Sequence, residues 1–453
     1  MIYGLKHVNR FYLVRVISVA ERIPGANGLK KQPVQLLSVH APPSTFFLDW
    51  DIPIISHRPE KKKGEDTMFS FDQVIDRRGT QSVKWDDVER LFGHKDVWPM
   101  WVADMDFPAP KAVQEALQAR IEHGIFGYTV IPDSLKEAVG EWLKRRHEWE
   151  IDPAWLVFAH GVVPAVAAAI EAFSEPGDRV VVFSPVYRPL FDLVRRHDRT
   201  LVLSPLRLTE DNYVIDWDDL ERKLPGAKLL ILCHPHNPGG KVWTKEELER
   251  LGELCFNHGV FVLSDEIHAD LTFPPYRHIP FASLHPELAA QSATFRAPTK
   301  TFNLAGLQAA EAIIPDESRR RAFRRVQQRQ GFFTLNAFAI AGAEAAYRHG
   351  EAWLDALLAY LQQNIDTTIA HLAAELPILR PIRPQATYLV WIDGRGLGLS
   401  EAELKKQLLE KGKIAVEFGS KFGAEGSGFL RLNVACPRST LEEGLRRLVL
   451  ALR

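Results

Sequence analysis

Residues 229–265 read LLILCHPHNPGGKVWTKEELERLGELCFNHGVFVLSD, and this stretch decides the fold class. Two uninterrupted apolar runs, 229–233 and 260–264, have the length of buried strands, and the stretch Lys245–Asn257 between them has a helical pattern. A third apolar run of the same kind, 179–183, precedes them. Apolar strands that alternate with helices indicate a parallel sheet covered on both faces. Ligands bind beyond the carboxyl ends of such strands, so we expect the chemistry in the loops that follow them.

Composition restricts the class of protein. The chain has 453 residues, 46% hydrophobic and 25% charged, which suits one large and one small globular domain. A formal net charge of −1 provides no field to attract nucleic acid or an anionic membrane, so neither is expected as a partner. No apolar run is long enough to predict a membrane span. The three cysteines have no metal-ligand or disulfide spacing, which predicts no metal site and a cytoplasmic location.

The first 67 residues differ from the rest, because they contain several prolines, a charge cluster and no sustained periodicity. We interpret them as a poorly ordered or spurious N-terminal extension, and the alternative is a targeting or partner-binding segment. The patterned remainder is predicted to comprise the N-terminal part of a small domain, a large domain, and the C-terminal part of the small domain. Their predicted ranges are 68–115, 116–345 and 346–453.

Further elements are predicted from periodicity in these domains. Helices are expected at Lys111–His123, where Pro110 is a start signal, and at 134–148. One long helical stretch, 318–349, is expected to lead out of the large domain, and 387–392 is expected to be a strand of the small domain.

Three residues in the loops after strands form an ordered set: Asn237, Asp265 and Lys300. A lysine amine forms an imine with an aldehyde, and a carboxylate keeps a pyridine nitrogen protonated so that the ring accepts carbanion charge. An amide such as that of Asn237 can donate a hydrogen bond to a hydroxyl group on the same ring and so orient the ring. Taken singly, each residue has an ordinary explanation. An Asn-Pro-Gly sequence usually forms a turn, an aspartate after a strand often caps a helix, and a lysine usually lies at the surface. Together they indicate pyridoxal 5'-phosphate (PLP) as the cofactor, held by Lys300 as a Schiff base.

The motifs around this set resemble the fold-type-I PLP enzymes of the class I/II aminotransferase superfamily. NPGG at 237–240, SDEIH at 264–268 and the Lys300 motif carry that resemblance. Further motifs narrow it to the cystathionine β-lyase (C–S lyase) branch of the MalY/PatB type, over about residues 68–453. These are PMWVADMDF at 99–107, GIFGY at 124–128, FLRLN at 429–433 and ACPR at 435–438. The resemblance implies an α/β fold in which a large domain has a mostly parallel central sheet between helices, beside a smaller α+β domain.

The resemblance also implies a role for each site residue. Lys300 is the imine lysine and proton-transfer base, Asp265 pairs with the pyridine nitrogen, and Asn237 binds the ring hydroxyl. The other implied cofactor contacts are Tyr187 on the ring face, Gly161, Val162, Val163 and Thr299 at the phosphate, His268, and Tyr128 from the neighbouring subunit. Arg431 grips the substrate carboxylate, and the pocket is shaped by Trp101, Asp104 and Tyr128. The role of Tyr128 implies a homodimer with shared sites.

Three residues depart from the common pattern of the superfamily. Thr299 precedes the lysine where serine is usual, and it keeps the hydroxyl. Gln308 stands where many members have a phosphate-binding arginine, so phosphate binding is expected to rely on amides, hydroxyls and Tyr128. His268 stands where many aminotransferases have tyrosine, either as a support for the site or as a packed histidine.

The implied reaction is β-elimination from cystathionine or related S-substituted cysteines to a thiol, pyruvate and ammonia. Two alternatives remain at this stage. An aminotransferase would use the same residues, because both reactions begin with removal of the α-proton. A regulatory binding protein that controls a transcription factor by contact is the second alternative, although no basic recognition helix can be identified in the sequence.

Overall fold

The apolar runs lie side by side in a seven-stranded sheet in the computed structural model, which describes residues 69–210 and 212–453. The predicted strands occur with bounds that differ by one or two residues. In chain order the strands are Leu156–Ala159 (β1), Arg179–Ser184 (β2), Thr200–Pro205 (β3), Ala227–Cys233 (β4), Phe261–Asp265 (β5), Ser292–Arg296 (β6) and Ala310–Ile313 (β7).

The sheet order is β1-β7-β6-β5-β4-β2-β3, with β2 to β6 parallel and β7 antiparallel to both of its neighbours. Cys233 pairs with Asp265 in register, and Asp265 pairs with Phe295. The carboxyl ends of β4, β5 and β6 therefore adjoin. Asn237 follows β4, Asp265 ends β5 and Lys300 follows β6, so the topology brings all three to one edge of the sheet.

Both faces of the sheet are buried, as the uninterrupted apolar runs predict. Alternate residues of one strand belong to different cores: Val180 and Val182 pack with the helix Val162–Phe173, and Val181 packs with the helix Lys245–Asn257. The predicted mostly parallel α/β sheet between helices is thus confirmed.

Helices pack on the sheet and also make up much of the remaining described chain. Those of seven or more residues are Lys111–His123 (α1), Asp133–His147 (α2), Val162–Phe173 (α3), Pro189–Arg196 (α4), Trp217–Lys223 (α5), Lys245–Asn257 (α6), Glu317–Arg329 (α7), Ala337–His349 (α8), Glu351–Glu375 (α9) and Arg438–Leu452 (α10). Shorter helical segments are Val83–Asp86, Val88–Phe92, Pro286–Ala290, Pro298–Thr301 and Glu401–Lys406, the last continued by the π-helix Gln407–Gly412.

The prediction of one helical stretch over 318–349 is wrong. Helix α7 ends at Arg329, and Gly331 then adopts a left-handed conformation with φ +76°. Asn336 starts a new helix, because its side chain accepts a hydrogen bond from the Ala339 amide at 2.8 Å. A glycine and an asparagine cap thus interrupt an otherwise helical pattern.

A second, antiparallel sheet lies in the C-terminal part of the chain. Its strands are Arg380–Ile382 (β8), Leu389–Asp393 (β9), Glu417–Phe418 (β10) and Phe429–Asn433 (β11). Their order in the sheet is β8-β9-β11-β10. The chain also forms two short two-stranded pairs, Trp98–Pro99 with Ile414–Ala415 and Arg207–Leu208 with Tyr213–Val214.

The predicted domain boundaries stay predictions, since the described residues belong to one compact unit, Asp66–Arg453. The interpretation of residues 1–67 lies outside the described residues. Among the described helices, none is both long and apolar enough to cross a membrane.

Candidate active site

A cavity of about 400 Å³ opens at the edge of the sheet where β4, β5 and β6 end, within the range of roughly 300–1,000 Å³ common for small-ligand sites. Most of the residues proposed from the sequence line it. These are Trp101, Gly161, Val162, Val163, Tyr187, Asn237, Asp265, His268, Thr299, Lys300 and Arg431.

Lys300 lies in the four-residue helix Pro298–Thr301, directly after β6. Its Nζ donates a hydrogen bond to the Ala103 carbonyl oxygen at 2.5 Å, and the Tyr388 hydroxyl donates to the same oxygen at 3.0 Å. Burial lowers the pKa of Lys300 to about 8, although Asp104 and Asp265 oppose the shift. A substantial fraction of this amine is therefore neutral and nucleophilic near physiological pH.

Asp265 is the last residue of β5 and is buried. The only hydrogen bond its side chain makes within the described chain is from the Ile267 amide, at 3.2 Å. Burial raises the pKa of this carboxyl to about 7. A buried carboxylate with so few donors is costly, so the site favours a cationic partner for Asp265.

Arg431 belongs to β11, and its buried guanidinium group contacts Asn237 and the Trp101 carbonyl in the cavity wall. Its Nη1 donates to Asn237 Oδ1 at 3.0 Å and its Nη2 donates to the Trp101 carbonyl at 3.1 Å. Its Nε finds no acceptor among the described residues. Asn237 uses its oxygen for Arg431, which leaves its amide N–H groups as donors to a ligand.

Helix α3 begins at one end of the cavity. Gly161 precedes it with φ +135°, a conformation that favours glycine. The first-turn amides of Val162 and Val163 are unpaired helix donors, and Pro164 has no amide to offer. Such an N-terminus is suited to an anionic group. Gln308 also lines the cavity, and its left-handed backbone has φ 56°.

His268 and Tyr187 complete the walls. His268 is buried, its Nδ1 has no partner among the described residues, and burial lowers the pKa of its ring to about 3. The ring is therefore neutral at pH 7, and it packs edge-on to Tyr388 with centroids 6.5 Å apart. Tyr187 donates its backbone amide to the Asn237 carbonyl at 3.0 Å, which ties two cavity loops together.

Two residues proposed from the sequence do not line the cavity. The Asp104 carboxylate pairs with Arg77 at 2.7 Å. Tyr128 is fully exposed, at 109% of its reference area, and does not line the cavity of its own chain. Its neighbours Ile125, Phe126 and Val130 are exposed as well.

Several residues around the cavity were not predicted from the sequence. Glu417 lines it from β10, where it pairs in register with Arg431 and forms an ion pair with Lys421 at 2.5 Å. Cys233 and His160 also line it, and Tyr388 reaches Lys300 through the Ala103 carbonyl. No motif identifies Glu417, which lies 12 residues before the FLRLN motif at 429–433.

Comparison with known proteins identifies the class. The model of the family "Aminotransferase class I and II" matches residues 100–448, which is more than half of the chain. The chain belongs to the class I and II aminotransferase family.

Relatives within this family specify the branch. The chain is 50% identical over 386 residues to cystathionine beta-lyase PatB of Bacillus subtilis (strain 168), a match covering 85% of this chain and 100% of PatB. It is 37% identical over 390 residues to protein MalY of Escherichia coli (strain K12), covering 85% and 99% of the two chains. The predicted resemblance to the MalY/PatB branch is confirmed.

A solved structure agrees with the fold. Cystalysin from Treponema denticola, whose crystal structure contains a pyridoxal 5'-phosphate cofactor, superposes with a TM-score of 0.83 at 33% sequence identity. The match covers 85% of this chain and 98% of cystalysin. The predicted fold class is confirmed by this similarity.

Proposed function

We propose that this chain is a PLP-dependent carbon–sulfur lyase that carries out β-elimination on cystathionine or related S-substituted cysteines. The products are a thiol, pyruvate and ammonia. The observation that carries the proposal is that one cavity is lined by all four of the expected residues, Lys300, Asp265, Asn237 and Arg431. The 50% identity to a protein named cystathionine beta-lyase supports the choice of reaction.

The donor set fits PLP. Asp265 is a buried carboxyl with one side-chain hydrogen bond and a raised pKa, which suits the cationic nitrogen of a protonated pyridine ring. Lys300 would hold the aldehyde carbon, and Asn237 would donate to the ring hydroxyl. Tyr187 would cover the ring face, and the amides of Gly161, Val162 and Val163 with the Thr299 hydroxyl would bind the phosphate. When bound, the cofactor supplies an electron sink for negative charge at the substrate α-carbon.

The residues of the chain supply binding, orientation and proton transfer. Arg431 Nη1 and Nη2 each use one N–H group on the cavity wall, and their second N–H groups would make a bidentate contact with the substrate α-carboxylate. Lys300, whose pKa is lowered by burial, is suited to remove the α-proton as a general base. Trp101 forms part of the cavity wall, and its carbonyl oxygen accepts a hydrogen bond from Arg431.

Replacing Lys300 with alanine tests the central assignment. The Lys300→Ala variant should lose pyruvate release from cystathionine by at least about a thousandfold, because it lacks both the cofactor-binding amine and the base. The visible absorbance of the lysine-bound cofactor should disappear as well. Lys111→Ala, at an exposed position of α1, is the matched control and should behave as the wild type. Normal turnover by Lys300→Ala would refute the assignment.

The aminotransferase alternative is favoured by one observation, the name and breadth of the matching family. Both reactions start at the same proton, so the residues named above do not separate them. An assay with cystathionine can do so by measuring pyruvate release with and without an added keto acid. Pyruvate formation that needs no keto acid supports the lyase, and amino transfer that depends on one supports the alternative.

We also propose a homodimer with shared sites. Tyr128 and the neighbouring apolar side chains of Ile125, Phe126 and Val130 are exposed in the single chain. Exposed apolar clusters of this kind are typical of protein–protein contacts.

We further propose a cytoplasmic location, which is supported by three free, buried cysteines. The large and small domains are proposed to have the boundaries predicted from the sequence.

A further inference from the structure

The segment 296–301, which carries Lys300, is bound near both ends by one buried carboxylate. Arg296 Nη2 donates to Asp270 Oδ1 at 2.9 Å, and Thr301 Oγ1 donates to Asp270 Oδ2 at 2.8 Å. Arg296 ends β6 and Thr301 directly follows Lys300. One side chain thus connects the residues that bracket the lysine.

Asp270 is itself held firmly. Trp142 Nε1 donates to its Oδ1 at 3.0 Å, and His147 Nε2 lies 2.6 Å from the same oxygen. Both residues belong to α2, and Asp270 is 3% exposed at its side chain. Burial alone would raise the pKa of Asp270, but Arg296 and His147 outweigh it and hold the pKa well below its usual value. Asp270 is therefore a fixed anion at neutral pH.

The Lys300 segment needs an external support. The helix Pro298–Thr301 has four residues, and Ala297 offers it no side-chain cap. A single turn does not stabilise itself, because helix nucleation costs more than one hydrogen bond returns. The two hydrogen bonds to Asp270 provide tertiary support for this short helix and for the end of the strand before it.

We propose that Asp270 is a positioning residue, which holds the 296–301 segment through Arg296 and Thr301 and so sets where Lys300 Nζ lies. This inference rests on the proposed function, since it assigns the position of the cofactor-binding lysine. Asp270 and Thr301 do not line the cavity, so both would act through the position of Lys300. A displacement of about 1 Å at a reacting group lowers rates by roughly a hundredfold.

Removing the Thr301 hydroxyl isolates this effect. Thr301→Val keeps the volume and breaks only the bond to Asp270, and Thr301→Ser restores a donor. The matched control is Thr368→Val: Thr368 is fully buried, and its Oγ1 donates to the Asn364 carbonyl at 2.8 Å within α9. All variants are made in the full chain and studied as holoenzymes.

The expected result is a fall in kcat of roughly ten- to a hundredfold for Thr301→Val with KM changed by less than about threefold. The midpoint of the pH titration of the bound cofactor's absorbance should shift in the same variant. Thr301→Ser should restore both properties. Thr368→Val should lower the urea midpoint for unfolding and leave both properties at their wild-type values.

A structural role alone would give the opposite pattern. If Thr301→Val resembles Thr368→Val, with only the urea midpoint lowered, the inference is overturned. Should Thr301→Val fail to fold, Thr301→Ala against Thr301→Ser provides the same comparison. Borohydride reduction of the wild-type holoenzyme, followed by peptide mass analysis, separates this outcome from failure of the proposed function. If the Lys300 peptide does not carry the added mass of the cofactor, the proposed function is refuted. If it does, the Thr301 variants test the inference about Asp270.

Discussion

At the scale of single residues, burial changes the ionisation of Lys300 and Asp265 in opposite directions. It lowers the pKa of the amine to about 8 and raises that of the carboxyl to about 7. Both shifts follow from removing a charged group from water. Each residue therefore lies near its titration midpoint at physiological pH, which suits groups that exchange protons or accept a charged partner.

The lowered pKa of Lys300 predicts selective labelling in the cofactor-free chain. An amine with a pKa of about 8 is about half neutral at pH 8, whereas an ordinary lysine at about 10.4 is roughly 0.4% neutral there. Trace acylation followed by mass spectrometry should give Lys300 a half-maximal rate near pH 8. Lys111, exposed on α1, is the internal control for reaction with the reagent. Identical pH profiles for the two lysines would contradict the shift.

At the scale of elements, two short stretches prepare the site for its ligand. The turn before α3 depends on Gly161 at φ +135°, and Gly161, Val162 and Val163 all line the cavity. The loop before α1 is held by Asp106, which accepts from Lys84 Nζ at 2.6 Å and from Arg77 Nη1 at 2.8 Å. This loop also supplies the Ala103 carbonyl to Lys300.

Gly161→Ala should weaken cofactor binding. The added Cβ would meet the Pro164 ring, Cδ at 3.5 Å and Cγ at 4.0 Å, so the cost is backbone strain and not a clash. The free variant should relieve strain of about 1–3 kcal/mol by shifting this turn, and restoring the binding geometry would raise the dissociation constant roughly 5- to 150-fold, measurable by absorbance titration with PLP. Gly140→Ala, in the middle of α2 with open space around it, is the control and should bind as the wild type. Unchanged affinity in Gly161→Ala would exclude this helix as the phosphate site.

Asp106→Asn should destabilise the fold by up to about 3–5 kcal/mol, because it leaves buried Lys84 with only Asp104, 3.8 Å away, as a charge partner. The measurement is urea unfolding at pH 7. The control is Asp133→Asn, whose pair with Lys136 is at the surface and should contribute nothing measurable. An Asp106→Asn variant as stable as the control would show that this pair is dispensable.

The same pair predicts a pH dependence of stability. Burial would raise the pKa of Asp106, but Lys84 outweighs it and the pKa lies below its usual value. A carboxyl with a depressed folded-state pKa stabilises the fold fully above its unfolded pKa of about 3.9, and that contribution is lost as the pH falls further. The stability difference between wild type and Asp106→Asn should therefore be full at pH 7 and shrink below about pH 4.

At the scale of the whole molecule, the exposed position of Tyr128 determines what one chain can complete alone. The cavity contains the lysine, carboxylate, amide and arginine expected of the site, yet Tyr128 lies outside it. In the proposed dimer each cavity would receive Tyr128 from the other subunit. The site would then depend on assembly as well as on folding.

Mixed dimers test this arrangement. Lys300→Ala and Tyr128→Ala should each have low activity alone, because each homodimer has two defective sites. Co-expressed, half of the dimers would be mixed, and one site in each would be intact, so activity should recover to about a quarter of wild type. Recovery no greater than the average of the two variants would show that Tyr128 acts within its own chain or not at all. Sedimentation at equal concentrations controls for assembly.

Local pattern accounts for the elements that were predicted well. Helix α6 occurs at its predicted bounds, because Thr244 and Glu247 form a reciprocal capping box at its start. The strands at 229–233 and 260–264 were predicted within two residues. The break between α7 and α8 was missed, since Gly331 and Asn336 were each compatible with a continuous helix when read singly.

The sequence by itself determined the order of the sheet strands along the chain, the loops after them and the set of Asn237, Asp265 and Lys300. These follow from periodicity and residue type over short distances. Only the tertiary structure decided which charges meet: Arg431 reaches Asn237 across 194 residues, and Asp104 pairs with Arg77 outside the cavity. The physical reason is that the energy of a buried charge depends on the partners that surround it in space, and these come from parts of the chain that no local pattern connects.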